Sequence, residues 1–463
     1  MSSKKAKGSS NNNAPAISTE PAGTARNETV PQRIAGVLVN ALKGGVVPRV
    51  GLEYIAVGRN QEISAILHDI ELISDGGASF RFIVGKYGSG KSFLLQTIRN
   101  YATAKGFAVA DADLSPERRF SGTKGQGLAT YKELVKNLST KSKPDGGALP
   151  LILERWISSI QSAVKTESDL EGAAFHREVE RRIYEVANSL EGMVNGFEFA
   201  KAIVAYWNAY NQDDSAAKSN ALKWFRGEYA TRTEAKADLG INFIVTDETW
   251  YDSLKILAAF LVGAGYRGLL ILIDELVNIY KIPNSVSRNN NYEKILTMYN
   301  DAMQGKAKHI GFLMGGTPQC VEDKYKGIFS YEALRSRLAD GHFAAKDITD
   351  MTAPIIRLQM LTQEEMYVLV EKLRNIHAQL YDYSPTLTHD DILYFLTVEY
   401  NRVGASSHIT PREIIRDFIE LMSILHQNPS KSTADILGSN SFEMAKGGLS
   451  DEDIHSDFKE FEI

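Results

Sequence analysis

Cysteine is nearly missing: Cys320 is the single one in 463 residues. One thiol excludes an intramolecular disulfide, argues against a cysteine-based zinc site and fits a reducing, cytoplasmic setting. The nine histidines fall in no metal-ligand spacing. Long apolar runs are absent too. No stretch approaches the roughly 20 residues of a membrane span, so no membrane partner is expected. The opening "MSSKKAKGSSNNNAPAISTEPAGTARNE" carries lysines but no apolar core. It reads as a disordered tail over 1–31 rather than a secretory signal. An excess of positive charge is also lacking. The formal charge is −5 and the pI about 6.1, which excludes a surface coated in basic charge for nucleic acid while leaving room for a local basic stripe. What is present is ordinary apolar content, 43%, in a chain long enough for two or three domains.

"PQRIAGVLVNALKGG" spaces Ile34, Val37, Leu38 and Leu42 along one helical face, with Gly44 and Gly45 as a stop. "YIAVGR" reads as a short extended entry, and Asn60 as the cap of a helix carrying Ile63, Ile66, Leu67 and Ile70. Then "FRFIVG" reads as a buried strand, "SFLLQTIRNYATAKG" as an amphipathic helix and "FAVADADL" as a second strand. That order is a βαβ unit of a parallel sheet. From about residue 121 to 262 helical patterns dominate and all four tryptophans occur, Trp156, Trp207, Trp224 and Trp250. They read as core anchors of a helical insertion. Strand texture returns at "GLLILIDEL", "HIGFLMGGT" and "PIIRLQML". Two capping boxes, Thr362 with Glu365 and Thr410 with Glu413, open later helices, the second with Pro411 at its first position. The stretch after Pro429 is polar, then acidic, and reads as a flexible tail over 429–463. No internal repeat occurs.

Between the first strand and its helix lies "GKYGSGKS", which fits the phosphate-loop pattern G-x-x-x-x-G-K-[ST]. Gly85, Lys86, Tyr87, Gly88, Ser89 and Gly90 would turn backbone amides onto phosphate oxygens, and the helix N-terminus at Phe93 adds positive potential. Lys91 supplies a point charge for the β- and γ-phosphates, and Ser92 a hydroxyl for Mg²⁺. "LLILIDE" ends in Asp274 and Glu275 at a strand's carboxyl edge, where open α/β sheets bind ligands. Asp274 would hold Mg²⁺ and Glu275 would orient and deprotonate the attacking water. The site implied is one for ATP and Mg²⁺ with turnover, in an α/β P-loop ATPase domain spanning 32–350. Further candidates are Thr317 as a polar sensor, Arg335 or Arg337 as an arginine finger in a neighbouring subunit, Arg412 as a cation in a helix's first turn, and Arg59 at the border of the adenine pocket.

In this order "VGRNQEI", "GKYGSGKS", "LLILIDE", "GGTP", "ALRSRL" and "TPREIIR" resemble the AAA+ and related STAND ATPases. "ALKGGVVPRVGLEYIAVGR", "GYRGLLILIDELVNIYK" and "ITPREIIRDFIELM" are similar, more narrowly, to the BrxD ATP-binding proteins of BREX-type phage-defence loci. The resemblance covers about residues 32–428. It implies a parallel sheet of order 5-1-4-3-2 and a helical or winged-helix lid over 351–428. Thr317 then corresponds to a first sensor, Arg335 or Arg337 to the finger and Arg412 to a second sensor. The interval from phosphate loop to acid pair is far longer than in a minimal AAA+ module.

The expectation is a cytoplasmic ATPase that works as a switch or loader on DNA with a partner helicase or other defence protein, and that forms an ATP-dependent homo-oligomer. No nuclease, protease or methyltransferase motif is evident, so ATP would drive conformational change. The competing expectations are a nucleotide-gated scaffold that binds proteins through the tryptophan-bearing insertion, and a replication or repair loader of the origin-recognition type. Arg374, Arg402 and Arg416 are scattered rather than clustered, which offers no basic stripe in the C-terminal region.

Overall fold

The computed structural model describes residues 29–188, 196–339, 350–401 and 410–438. The expected tails fall mostly outside the described residues, as does Arg402. Five strands form one sheet: β1 (Ala78–Gly85), β2 (Ala108–Asp113), β3 (Leu269–Asp274), β4 (Ile310–Gly316) and β5 (Ile355–Leu358). Their order is β2-β3-β4-β1-β5, which from the opposite edge runs 5-1-4-3-2. Every pairing is parallel. Covered on both faces, the strands are nearly continuous apolar runs, and all eight residues of β1 are buried.

The one charged residue within β1 is Arg81. Its Nε and Nη2 donate to the two carboxylate oxygens of Asp69 at 2.6 and 2.8 Å, and Ser79 Oγ donates to the same carboxylate at 2.9 Å. Arg81 Nη1 also reaches the carbonyls of Met351 and Ala353. One guanidinium thus ties the helix Asn60–Ser74 to the sheet and to the segment leading into β5. Both ions are buried, so removing one strands the other in low dielectric. Asp69→Ala should lower stability by about 3–5 kcal/mol, read as a lower denaturant midpoint.

Seven helices lie between β2 and β3 among the described residues, from Gln126–Lys136 to Trp250–Gly263. The four tryptophans are all buried in the apolar cluster that continues into the sheet. Trp156 meets Phe260 edge-on at 5.1 Å, while the indole N–H groups of Trp224 and Trp250 donate to the carbonyls of Phe243 and Phe120. They anchor the insertion's core, as expected from their burial-prone size.

A second cluster joins the two ends of the chain. Leu38, Val39 and Leu42 of the helix Gln32–Lys43 pack with Leu373, Phe395 and Phe418 of the helices Gln363–Leu380, His389–Asn401 and Pro411–Gln427. The first helix, grouped by sequence with the sheet, packs with these C-terminal helices. Its buried face is Ala35, Leu38, Val39 and Leu42, with Val37 exposed. No strand occurs among the described residues after β5. Both expected capping boxes are formed. Three local readings differ from the structure. Residues Leu52–Ile55 make a helical turn, started by Gly51 at φ +79°, where a Cβ would strike Ile34 at 2.5 Å. Asn60 is the first helical residue, with Arg59 at the cap position. Beyond Pro429 a further short helix, Thr433–Leu437, is capped by Ser432 with Asp435. Among the described residues no helix is long and apolar enough to cross a membrane.

Candidate nucleotide site

The carboxyl ends of β1, β3 and β4 open into one cleft of about 410 Å³. Its floor is the loop between β1 and the helix Lys91–Ala104. Gly88 and Gly90 hold φ of +79° and +87°, the left-handed region that glycine alone enters freely. At Gly85 the limit is space, since a Cβ would lie 2.2 Å from Ser89 Oγ. Ser89 Oγ itself is buried without a hydrogen-bond partner, a polar atom of the kind a ligand satisfies. Lys86 is exposed; its carbonyl and that of Gly85 each accept from Lys91 Nζ at 3.0 Å. Burial pushes the Lys91 ammonium below its ordinary value, against the opposing pull of Asp274 and Glu275. A partly desolvated cation held by two carbonyls gains most from an arriving phosphate.

Ser92, on the first turn of that helix, donates from Oγ to Asp274 Oδ2 at 2.7 Å. The other oxygen, Oδ1, accepts the Glu275 amide at 2.9 Å. These two side chains come from elements 182 residues apart, and their oxygens converge as hard-cation ligands must, so Ser92 and Asp274 fit Mg²⁺. Gly315 of β4 makes room for the carboxylate: a Cβ there would sit 2.3 Å from Asp274 Oδ1. Glu275 adopts φ +61°, unusual for a residue with a side chain. Burial, then the charges of Asp274 and Asp113, push its carboxyl above the usual range, with Lys91 opposing. Asp113 stands beside Asp274 in the β2–β3 register and is likewise raised, by burial and then by Asp274.

The remaining candidates separate into two groups. Thr317 caps the helix Pro318–Glu322, its hydroxyl oxygen accepting the Cys320 amide at 3.3 Å, and it lines the cleft. Arg59 also lines it, but its guanidinium is committed: Nη2 donates to the carbonyls of Ser89 and Gln359 at 3.0 and 2.6 Å, and Nη1 to Glu62. It braces the phosphate loop from behind. Arg412 reaches across from the helix Pro411–Gln427, donating to Tyr87 Oη at 3.0 Å and lying 5.6 Å from that ring's centre. Phe93, half-buried, packs toward the C-terminal helices. Above the loop, Val46, Val47, Ile55, Leu369 and Ile415 make an apolar wall. By contrast, Arg335 and Arg337 on the helix Glu332–Leu338 do not line this cleft. Arg337 is held by Asn300 and the Ala333 carbonyl, and Arg335 lies 3.9 Å from Glu332.

A family model described as "BREX system ATP-binding protein BrxC/D" matches residues 30–441. The chain belongs to this family. ATP binding and a place in BREX phage defence come with that family. No curated protein matches the chain. The BrxC/D match begins just ahead of the helix Gln32–Lys43 and runs past the helix Thr433–Leu437, so it includes every element that lines the cleft.

Proposed function

We propose that this BrxC/D-family protein hydrolyses Mg²⁺-ATP and uses the cycle as a switch or loader on DNA, together with a partner helicase or effector of the defence system. The observation that carries the reading is the 2.7 Å contact of Ser92 with Asp274, next to Glu275, whose carboxyl is raised by burial and by the charges of Asp274 and Asp113. The phosphate loop and Lys91 hold the β- and γ-phosphates; Ser92 and Asp274 hold the metal, which when bound neutralises charge developing on the phosphate oxygens. Glu275 takes a proton from the attacking water, and Thr317, whose hydroxyl keeps its hydrogen to donate, orients that water or the γ-phosphate.

The strand order and the helices over the cleft support an AAA+-like architecture of a sheet domain and a helical lid. In this reading Arg412 leaves Tyr87 for phosphate oxygens when ATP enters, so the lid follows occupancy. Arg335 or Arg337, remote from its own cleft, acts on a neighbouring subunit's γ-phosphate in an ATP-dependent oligomer. The cytoplasm is the compartment that suits such a partner set. The tryptophans do not supply an exposed binding face, which weighs against a scaffold acting through them.

The test is phosphate release by the purified full chain with Mg²⁺ or with EDTA, with and without DNA. Turnover should require the metal and rise with DNA. Asp274→Asn should retain ATP while turnover falls at least about a hundredfold, in line with lost metal-assisted charge stabilisation. Metal-independent turnover, or an unchanged rate in Asp274→Asn, would exclude the assignment.

A further inference from the structure

Both arms of the nucleotide site lead to one loop. The chain leaving Glu275 forms the short helix Val277–Tyr280, and Tyr280 Oη donates to Asp323 Oδ2 at 3.0 Å. The chain leaving Thr317 forms the helix Pro318–Glu322 and ends on the same Asp323. Asp323 then folds the next residues around itself: its Oδ1 accepts the amides of Tyr325 and Lys326 at 2.6 and 3.2 Å. Tyr292 Oη clamps the carbonyl of Lys326 at 2.6 Å. Gly327 closes the turn where a Cβ would meet the Asp323 backbone at 2.7 Å.

This loop presents Tyr325, a residue that is 90% exposed, between the exposed Lys324 and Lys326. Lys281, also exposed, follows Tyr280 directly. A loop pinned this firmly gives up the entropy of ordering without burying its aromatic ring, so the ring is held out for something else. We infer that the Tyr325 loop is a contact for single-stranded nucleic acid, with the ring stacking on a base and the flanking lysines on phosphates. The choice of partner rests on the chemistry of the patch. The neighbouring acids are already engaged, Glu322 by Arg357 at 2.8 Å and Asp323 by Tyr280 and two backbone amides, so the ring stands beside exposed lysines. A stacking ring with lysines on either side suits a strand whose bases are free, whereas duplex bases are already stacked. The link to ATP through Tyr280 and Asp323 rests on the hydrolytic reading above; the binding surface itself does not.

The test is fluorescence anisotropy of the full chain with labelled oligothymidine and with a duplex of equal length, at low and raised salt. Wild-type protein should bind the single strand in preference to the duplex, more weakly as salt rises. Tyr325→Ala should weaken single-strand binding about tenfold or more, Tyr325→Phe should restore it, and Lys324→Ala should flatten the salt dependence. ATP retention, measured on the same preparations, should be unchanged in all three variants. Failure of the hydrolytic reading would show instead as ATP binding without phosphate release, which leaves this assay intact. Equal binding by wild type and Tyr325→Ala, preference for duplex, or no binding of either oligonucleotide would overturn the proposal.

Discussion

Glu275→Gln should bind ATP as the wild type does and release phosphate roughly 10²–10⁴ times more slowly, the range a positioned general base contributes. The substitution keeps the size and the left-handed backbone requirement of the residue, and it leaves untouched the Glu275 amide that supports Asp274. What is removed is the carboxylate, with its negative charge and its capacity to accept a proton. The environment explains why a glutamate serves here. Burial and two neighbouring carboxylates lift its carboxyl above the usual range, toward the basicity a water-activating group needs. Steady-state phosphate release alongside equilibrium ATP binding separates this from a folding defect, which would lower both.

Lys91→Ala should lose ATP binding by at least a hundredfold. The ammonium is partly drawn out of water and hydrogen-bonded to two main-chain carbonyls. A unit charge about 4 Å from a phosphate oxygen is worth around 4 kcal/mol at the effective dielectric of a partly buried site, near a thousandfold in affinity before desolvation is subtracted. Removing an already desolvated cation costs the empty fold little, so the variant should unfold near the wild-type temperature. Isothermal titration and thermal melts in parallel check both halves.

How far the site could be read from sequence follows from where its parts lie along the chain. The phosphate loop and "LIDE" each carry a strand and its ligand-bearing end within a few residues, so periodicity and motif together locate them. The parallel sheet was legible for the same reason, because doubly buried strands read as apolar runs. What escaped depends on distant packing. Asp113 looked like part of a strand, and only its register opposite Asp274 brings it to the site; the rule that ligands bind at carboxyl strand ends offered the one available signal. Gly315 matters through a carboxylate 41 positions earlier, and Tyr87 through Arg412 at the far end of the chain. Arg59, expected at the adenine border, lines the cleft, and its guanidinium also holds two carbonyls that no local pattern marks. The helix Gln32–Lys43 packs with the C-terminal helices because its apolar stripe specifies burial, not the partner.

The most direct test of hydrolysis at this cleft is the identity of the bound nucleotide after a single turnover. Full-length wild type and Glu275→Gln are loaded with radiolabelled ATP and Mg²⁺, separated from free nucleotide and quenched in acid. Hydrolysis with Glu275 as the base leaves ADP on the wild type and intact ATP on Glu275→Gln, at equal occupancy. Intact ATP on both, or ADP on both at equal rates, would contradict it.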